Sequence, residues 1–171
     1  MSRPPSSGVL GGTGAVSNGV MTSLKSFTTG SVTRVWGADR YATAASLADS
    51  FPAGSPVFIA TGQAFPDALA GTAAAAAKHA AILLTAPGAL PPATSAALTA
   101  LAPSSITILG GVGVVSAAVA TQLGTYSSMV TRPWGADRYA TAAATAPSVY
   151  PASTGAFLTT APAPAAALTR G

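Results

Sequence analysis

The sequence predicts an α/β fold built on a mainly parallel sheet, and three observations carry that prediction. Val57-Phe58-Ile59-Ala60, Ala81-Ile82-Leu83-Leu84-Thr85 and Ile106-Thr107-Ile108-Leu109 are continuous apolar runs, each followed closely by Gly or Pro-Gly. Strands covered on both faces read this way. Longer Ala-rich segments with apolar residues at helical spacing stand between the runs, and such alternation is the pattern of strand–helix–strand crossovers.

The elements follow in chain order. Val32 to Trp36 is a candidate fourth strand. Asp39 then precedes Tyr41, Ala44/Ala45 and Ala48 at helical spacing, where its carboxylate can accept hydrogen bonds from first-turn amides. After the run at Val57, Phe65-Pro66-Asp67-Ala68-Leu69-Ala70-Gly71 reads as a helix entry. Pro66 suits the first helical position, Asp67 complements the positive helix end, and Gly71 permits close approach of a neighbouring element. The stretch from Ala68 to Leu84 is the most apolar, but Lys78-His79 interrupts it, so a buried helix and a buried strand are expected in place of a membrane span. Pro92 to Leu101 carries Ala97, Leu98 and Leu101 on one helical face, and Val115, Val119 and Leu123 do the same further on. Between these, Gly111-Val112-Gly113-Val114-Val115-Ser116 is a strand-to-helix turn with Ser116 as N-cap. It only approximates a dinucleotide-binding turn, and no acidic residue follows about 20 positions later to hold a ribose.

Composition narrows function. The chain has 171 residues, 8 Lys+Arg against 4 Asp+Glu, one His and no Cys. All four acids are Asp. Thiolate zinc sites, His clusters and most carboxylate-pair enzymes are thereby excluded, and no metal or cofactor is expected. A net charge of +4 favours acidic partners, yet the bases are scattered and form no nucleic-acid footprint. The first residues contain no apolar core of an export signal.

The chain also repeats itself. Trp36-Gly37-Ala38-Asp39-Arg40-Tyr41-Ala42-Thr43-Ala44-Ala45 returns as Trp134-Gly135-Ala136-Asp137-Arg138-Tyr139-Ala140-Thr141-Ala142-Ala143, 98 residues later. Leu10-Gly11-Gly12-Thr13-Gly14-Ala15-Val16-Ser17 returns as Leu109-Gly110-Gly111-Val112-Gly113-Val114-Val115-Ser116, 99 residues later. The period is domain-sized, beyond the range of a solenoid repeat. Residues 1–31 are therefore expected to be the end of a first repeat, 32–130 a complete one, and 131–171 a truncated start of a third. In that third copy Pro164-Ala165-Ala166 replaces Phe65-Pro66-Asp67.

Few side chains remain for recognition. Arg34, Arg40 and Tyr41, with Arg132, Arg138 and Tyr139 as repeats, are costly residues in a charge-poor chain, and the guanidinium fork suits carboxylate or phosphate. Arg34 or Arg40 pairing with Asp67 is the alternative. Lys78 is a further cation, and His79 beside it reads as a partner of the helix C-terminal dipole.

With these residues assembled, the sequence resembles the cell wall-binding repeat 2 family, tandem modules of Gram-positive surface proteins. The resemblance rests on Arg34 to Ala44, Phe65 to Gly71, Ala81 to Thr85, and Ile108-Leu109-Gly110-Gly111 through Ser116. It implies a Rossmann- or toprim-like module that packs with further repeats. It also implies a motif of Gly37, Asp39, Thr43, Phe65, Pro66, Asp67, Gly71, Gly110, Gly111 and Ser116. The implied function is non-covalent attachment to an anionic cell wall polymer, with Arg34, Arg40, Tyr41, Lys78, Arg132, Arg138 and Tyr139 as candidate ligand contacts and no catalysis in the module. The protein would be secreted or held at the wall surface. The alternatives are an accessory segment of a wall hydrolase and a structural segment without ligand.

Overall fold

The computed structural model describes residues 3–63, 66–133 and 135. Its elements run β1 (Ser6–Leu10), α1 (Asn18–Leu24), β2 (Ser31–Val35), α2 (Arg40–Ala48), β3 (Val57–Thr61), α3 (Pro66–Ala77), β4 (Ala81–Thr85), α4 (Pro92–Leu101), β5 (Ile106–Ile108), α5 (Ala117–Leu123) and β6 (Val130–Thr131). The alternation expected from the sequence is present, and every strand pairing among the described residues is parallel.

Two sheets form. One has four strands in the order β4-β3-β5-β6, and the other pairs β1 with β2. Residues of β3 point alternately to two layers. Val57 and Ile59 join Leu83, Leu98, Leu101, Ile108, Val119 and Leu123 in one core, while Phe58 and Ala60 join Ala74, Ala75 and Leu109 in the other. Thus α4 and α5 lie on one face of the sheet and α3 on the other. The entire β3 strand is buried, which explains why its sequence shows no polar alternation.

Small residues set the spacing of the layers. A Cβ on Gly71 of α3 would collide with the Leu109 side chain, so glycine brings the helix down onto the end of β5. Thr94 of α4 donates its hydroxyl proton to the Leu84 carbonyl at 2.6 Å, closing a polar link inside the core.

One expectation is altered. Val32 to Trp36 does contain a strand, but β2 hydrogen-bonds to β1 and not to the sheet built on β3. The opening strand of the repeated sequence thus belongs to the sheet before it. The pairing of β5 with β6 has the same arrangement, for Ile106 lies beside Val130 as Ser7 lies beside Val32. After β2 the chain passes through Gly37 to Asp39 into α2.

Candidate functional site

In parallel sheets the loops after strand carboxyl ends collect on one rim. Here that rim carries the glycine turns, the start of α2 and the end of β3. Gly11 and Gly110 both have positive φ, 105° and 92°, a conformation that glycine adopts without steric cost. Each turn then closes locally: the amides of Ala15 and Val16 donate to the Gly12 carbonyl, and those of Val114 and Val115 to Gly111. Ser17 and Ser116 accept from the amides of Val20 and Val119 as N-caps. The Ser116 amide donates to the Pro87 carbonyl at 2.8 Å. The amides of Val114, Val115 and Ser116 in the Gly111 turn are therefore engaged within the fold.

Two of the arginines hold these turns. Arg34 on β2 donates from Nη1 to the Gly11 carbonyl at 2.6 Å and from Nη2 to Asn18 Oδ1 at 3.4 Å. Arg132, its repeat, donates from Nη1 to the Gly110 carbonyl at 2.9 Å. Its Nη2 is buried without a partner, because Ala117 stands where the first copy has Asn18. Burial lowers the Arg132 pKa from its ordinary value.

Asp39 caps α2 as the sequence suggests, accepting from the Ala42 amide at 2.7 Å. Thr43 ties the same turn together: its hydroxyl donates to the Asp39 carbonyl at 2.8 Å and accepts from the Gly37 amide at 3.0 Å. Arg40 reaches across to β3 and donates from Nη1 to the Gly62 carbonyl. Tyr41 lies against the same glycine, so close that a Cβ there would come within 2.6 Å of Tyr41 Cε1. Among the described contacts, Arg34 and Arg40 thus meet backbone carbonyls. Lys78 follows the C-terminal end of α3 and precedes β4, which puts it at the opposite rim from Arg40.

The turn after β1, the segment Trp36 to Arg40 and the outer residues Ile82 and Leu84 of β4 line one groove of about 820 Å³. Trp36 is 59% exposed, and its ring lies near Gly12. The sequence reading omitted Trp36 from the candidate contacts. Its signal was there, an aromatic repeated at Trp134 beside the Arg-bearing helix start. Phe65, Arg138 and Tyr139 lie outside the described residues, as do the side chains of Pro66 and Asp67. No helix among the described residues is long and apolar enough to cross a membrane.

Comparison with known proteins gives three findings. Residues 34–120 match the family model of cell wall binding domain 2 (CWB2). The chain is 34% identical over 116 residues to the N-acetylmuramoyl-L-alanine amidase LytC of Bacillus subtilis (strain 168), covering 67% of this chain and 22% of that protein. Among solved structures, Cwp6 from Clostridium difficile superposes with a TM-score of 0.78 at 27% identity, over 88% of this chain and 25% of that one. Cwp8 from the same organism gives 0.70 at 26% identity, over 83% of this chain and 24% of that one. The chain spans a quarter or less of the length of each relative.

Proposed function

The chain belongs to the cell wall binding domain 2 family, and from that premise we propose that it holds an anionic wall glycopolymer in the groove beside Trp36. The observation that carries the reading is the convergence of an exposed Trp36, Arg40 and the turn Leu10 to Ala15 on one cleft. An indole face offers a platform for the apolar face of a sugar ring. A guanidinium offers paired donors to a phosphate or carboxylate.

In this reading Arg40 contacts the polymer and Tyr41 orients it by packing behind Arg40 at Gly62. Arg34 and Arg132 keep the glycine turns in shape, and Lys78 is a separate contact on the opposite rim. Arg138 and Tyr139 repeat the Arg40–Tyr41 pair for a following unit. The same reading takes residues 32–130 as one binding repeat between the end of a preceding one and the start of a following one. It assigns the chain no catalysis: its role is to attach a secreted protein to the wall, and the amidase activity in one relative's name is that of a protein of which this chain matches only 22%.

Co-sedimentation with purified walls tests the proposal, before and after chemical removal of the anionic polymers. Stripping should abolish retention, and raising ionic strength should weaken it through screening. Arg40→Ala and Trp36→Ala should each reduce affinity by about tenfold, near 1.4 kcal/mol. Undiminished binding by both variants would remove the groove from consideration, and undiminished binding to stripped walls would remove the anionic polymer.

A further inference from the structure

The face of the four-stranded sheet away from the groove carries a second concavity. Ile82 and Leu84 of β4 line the groove, whereas Leu83, pointing the other way, joins the core against which Leu90 and Tyr126 pack. Between α4 and α5 on that side, Leu90, Ser95, Gln122, Thr125 and Tyr126 line a cleft of about 300 Å³. This volume is at the lower end of the range for small-molecule sites, so the occupant must be small.

Its polar side chains are open to a ligand. The Thr125 hydroxyl donates to the backbone carbonyl of Gln122 at 2.8 Å, and that of Thr99 to the backbone carbonyl of Ser95 at 3.0 Å. The Ser95 hydroxyl, the Gln122 carboxamide and the Tyr126 hydroxyl have no hydrogen-bond partner among the described residues, and none of them is buried without one. Each therefore faces water. A carboxamide donates and accepts together, as the neighbouring hydroxyls of a sugar do. The Tyr126 ring offers a face on which a pyranose can lie, and Leu90 adds an apolar wall. No residue lining the cleft carries a charge, in contrast with the arginine-bearing groove.

The internal repeat singles out the same positions. Residues 121–126 correspond to residues 22–27, 99 positions earlier. Thr121 and Leu123, outside the lining, match Thr22 and Leu24. All three lining residues differ: Gln122 stands for Ser23, Thr125 for Ser26 and Tyr126 for Phe27. Between them Gly124 stands for Lys25. The differences add a carboxamide and a phenol hydroxyl and remove an ammonium. Core packing calls for none of them, because the fully buried side chain of this segment is Leu123, which is unchanged. We propose that the cleft between α4 and α5 is a carbohydrate site that takes one uncharged pyranose ring, separate from the groove beside Trp36.

Titration of the isotopically labelled full chain, followed by NMR, tests the proposal with glucose, galactose, mannose and N-acetylglucosamine as separate probes. At least one sugar should give saturable shifts at the Gln122 side-chain amide, the Thr125 methyl and the Tyr126 ring, with a Kd of about 1–10 mM as befits so small a ligand. Raising ionic strength should leave that Kd unchanged, since neither partner is charged. Gln122→Ala should weaken binding about tenfold and Tyr126→Phe about threefold, each through lost hydrogen bonds. Both changes remove groups outside the core, so the rest of the spectrum should be preserved. No saturable shift with any of the four sugars up to about 100 mM would overturn the proposal, as would a Kd that both substitutions leave unchanged. The probes are uncharged and the readout is local. A negative result therefore leaves the groove as the anionic polymer site, and failure of the groove variants to weaken wall binding leaves a positive result here intact.

Discussion

Residues 6–35 and residues 105–131 build the same local structure, and their apolar faces meet opposite environments. Each has a strand, a glycine at positive φ, a Ser N-cap at 3.3 Å from its amide, a helix of seven residues and a returning parallel strand. Each is fastened by an arginine on the carbonyl of its glycine turn. Yet α1 has no buried residue, while α5 buries Val119 and Leu123. Local chemistry is enough to fix the caps, the turn and the register. Burial of the second unit comes from β3, α3, β4 and α4, which among the described residues flank that unit and not the first. Apolar periodicity in a helix therefore states which face requires cover, and a separate element decides whether it is covered.

The sharpest way to break this comparison is to truncate the same leucine in both units. Leu109 is 1% exposed and Leu10 is 51% exposed. Leu109→Ala should destabilise the protein by about 2–5 kcal/mol, since it removes a side chain packed between β5 and α3 and leaves a cavity. Leu10→Ala should stay within about 0.5 kcal/mol, as surface changes do. Urea unfolding measures both. Equal losses would mean that the first unit is covered within the monomer.

The caps supply a smaller contrast. Ser116→Ala removes the acceptor for the Val119 amide at the start of a helix that is part of the main core, and should cost about 1 kcal/mol of global stability. Ser17→Ala removes the equivalent bond in α1, but α1 contributes no buried side chain. Its loss should appear as faster amide exchange confined to residues 18–24, with an unchanged unfolding midpoint. A shift of the midpoint by Ser17→Ala would show that α1 unfolds together with the core.

The same contrast explains what could be read from the sequence. The strands at Val57, Ala81 and Ile106, the caps at Asp39 and Ser116, and the close approach at Gly71 are consequences of local pattern, and each appears in the fold. The partner of β2 is not legible in the sequence, because its alternating Val32-Thr33-Arg34-Val35 is equally compatible with either sheet. Nor is the placement of the arginines. A guanidinium on a carbonyl leaves no second charged residue in the sequence to mark the pair, so the bonds of Arg34 and Arg132 to the Gly11 and Gly110 carbonyls are visible only in the fold. The exposure of Trp36 is likewise not legible, since an indole beside a helix start is as compatible with burial as with the open groove in which it stands.

The finest difference between the units is one side chain. Asn18 accepts from Arg34 Nη2, whereas Ala117 leaves Arg132 Nη2 buried and unpaired. An unsatisfied buried donor is penalised, and a hydrogen bond to a charged group contributes about 1.5–3 kcal/mol when well formed. The model for the repair is long, at 3.4 Å, and Asn is a poorer helix former than Ala by roughly 0.5 kcal/mol. Ala117→Asn should therefore stabilise the protein by only about 0.5–1 kcal/mol, read as a rise in the unfolding midpoint. The control is the same change made in an Arg132→Ala background. There the acceptor has nothing to pair with, the helix cost remains, and the effect should turn slightly destabilising. A gain that persists without Arg132 would assign the benefit to the helix start, and would leave the two arginine latches equivalent.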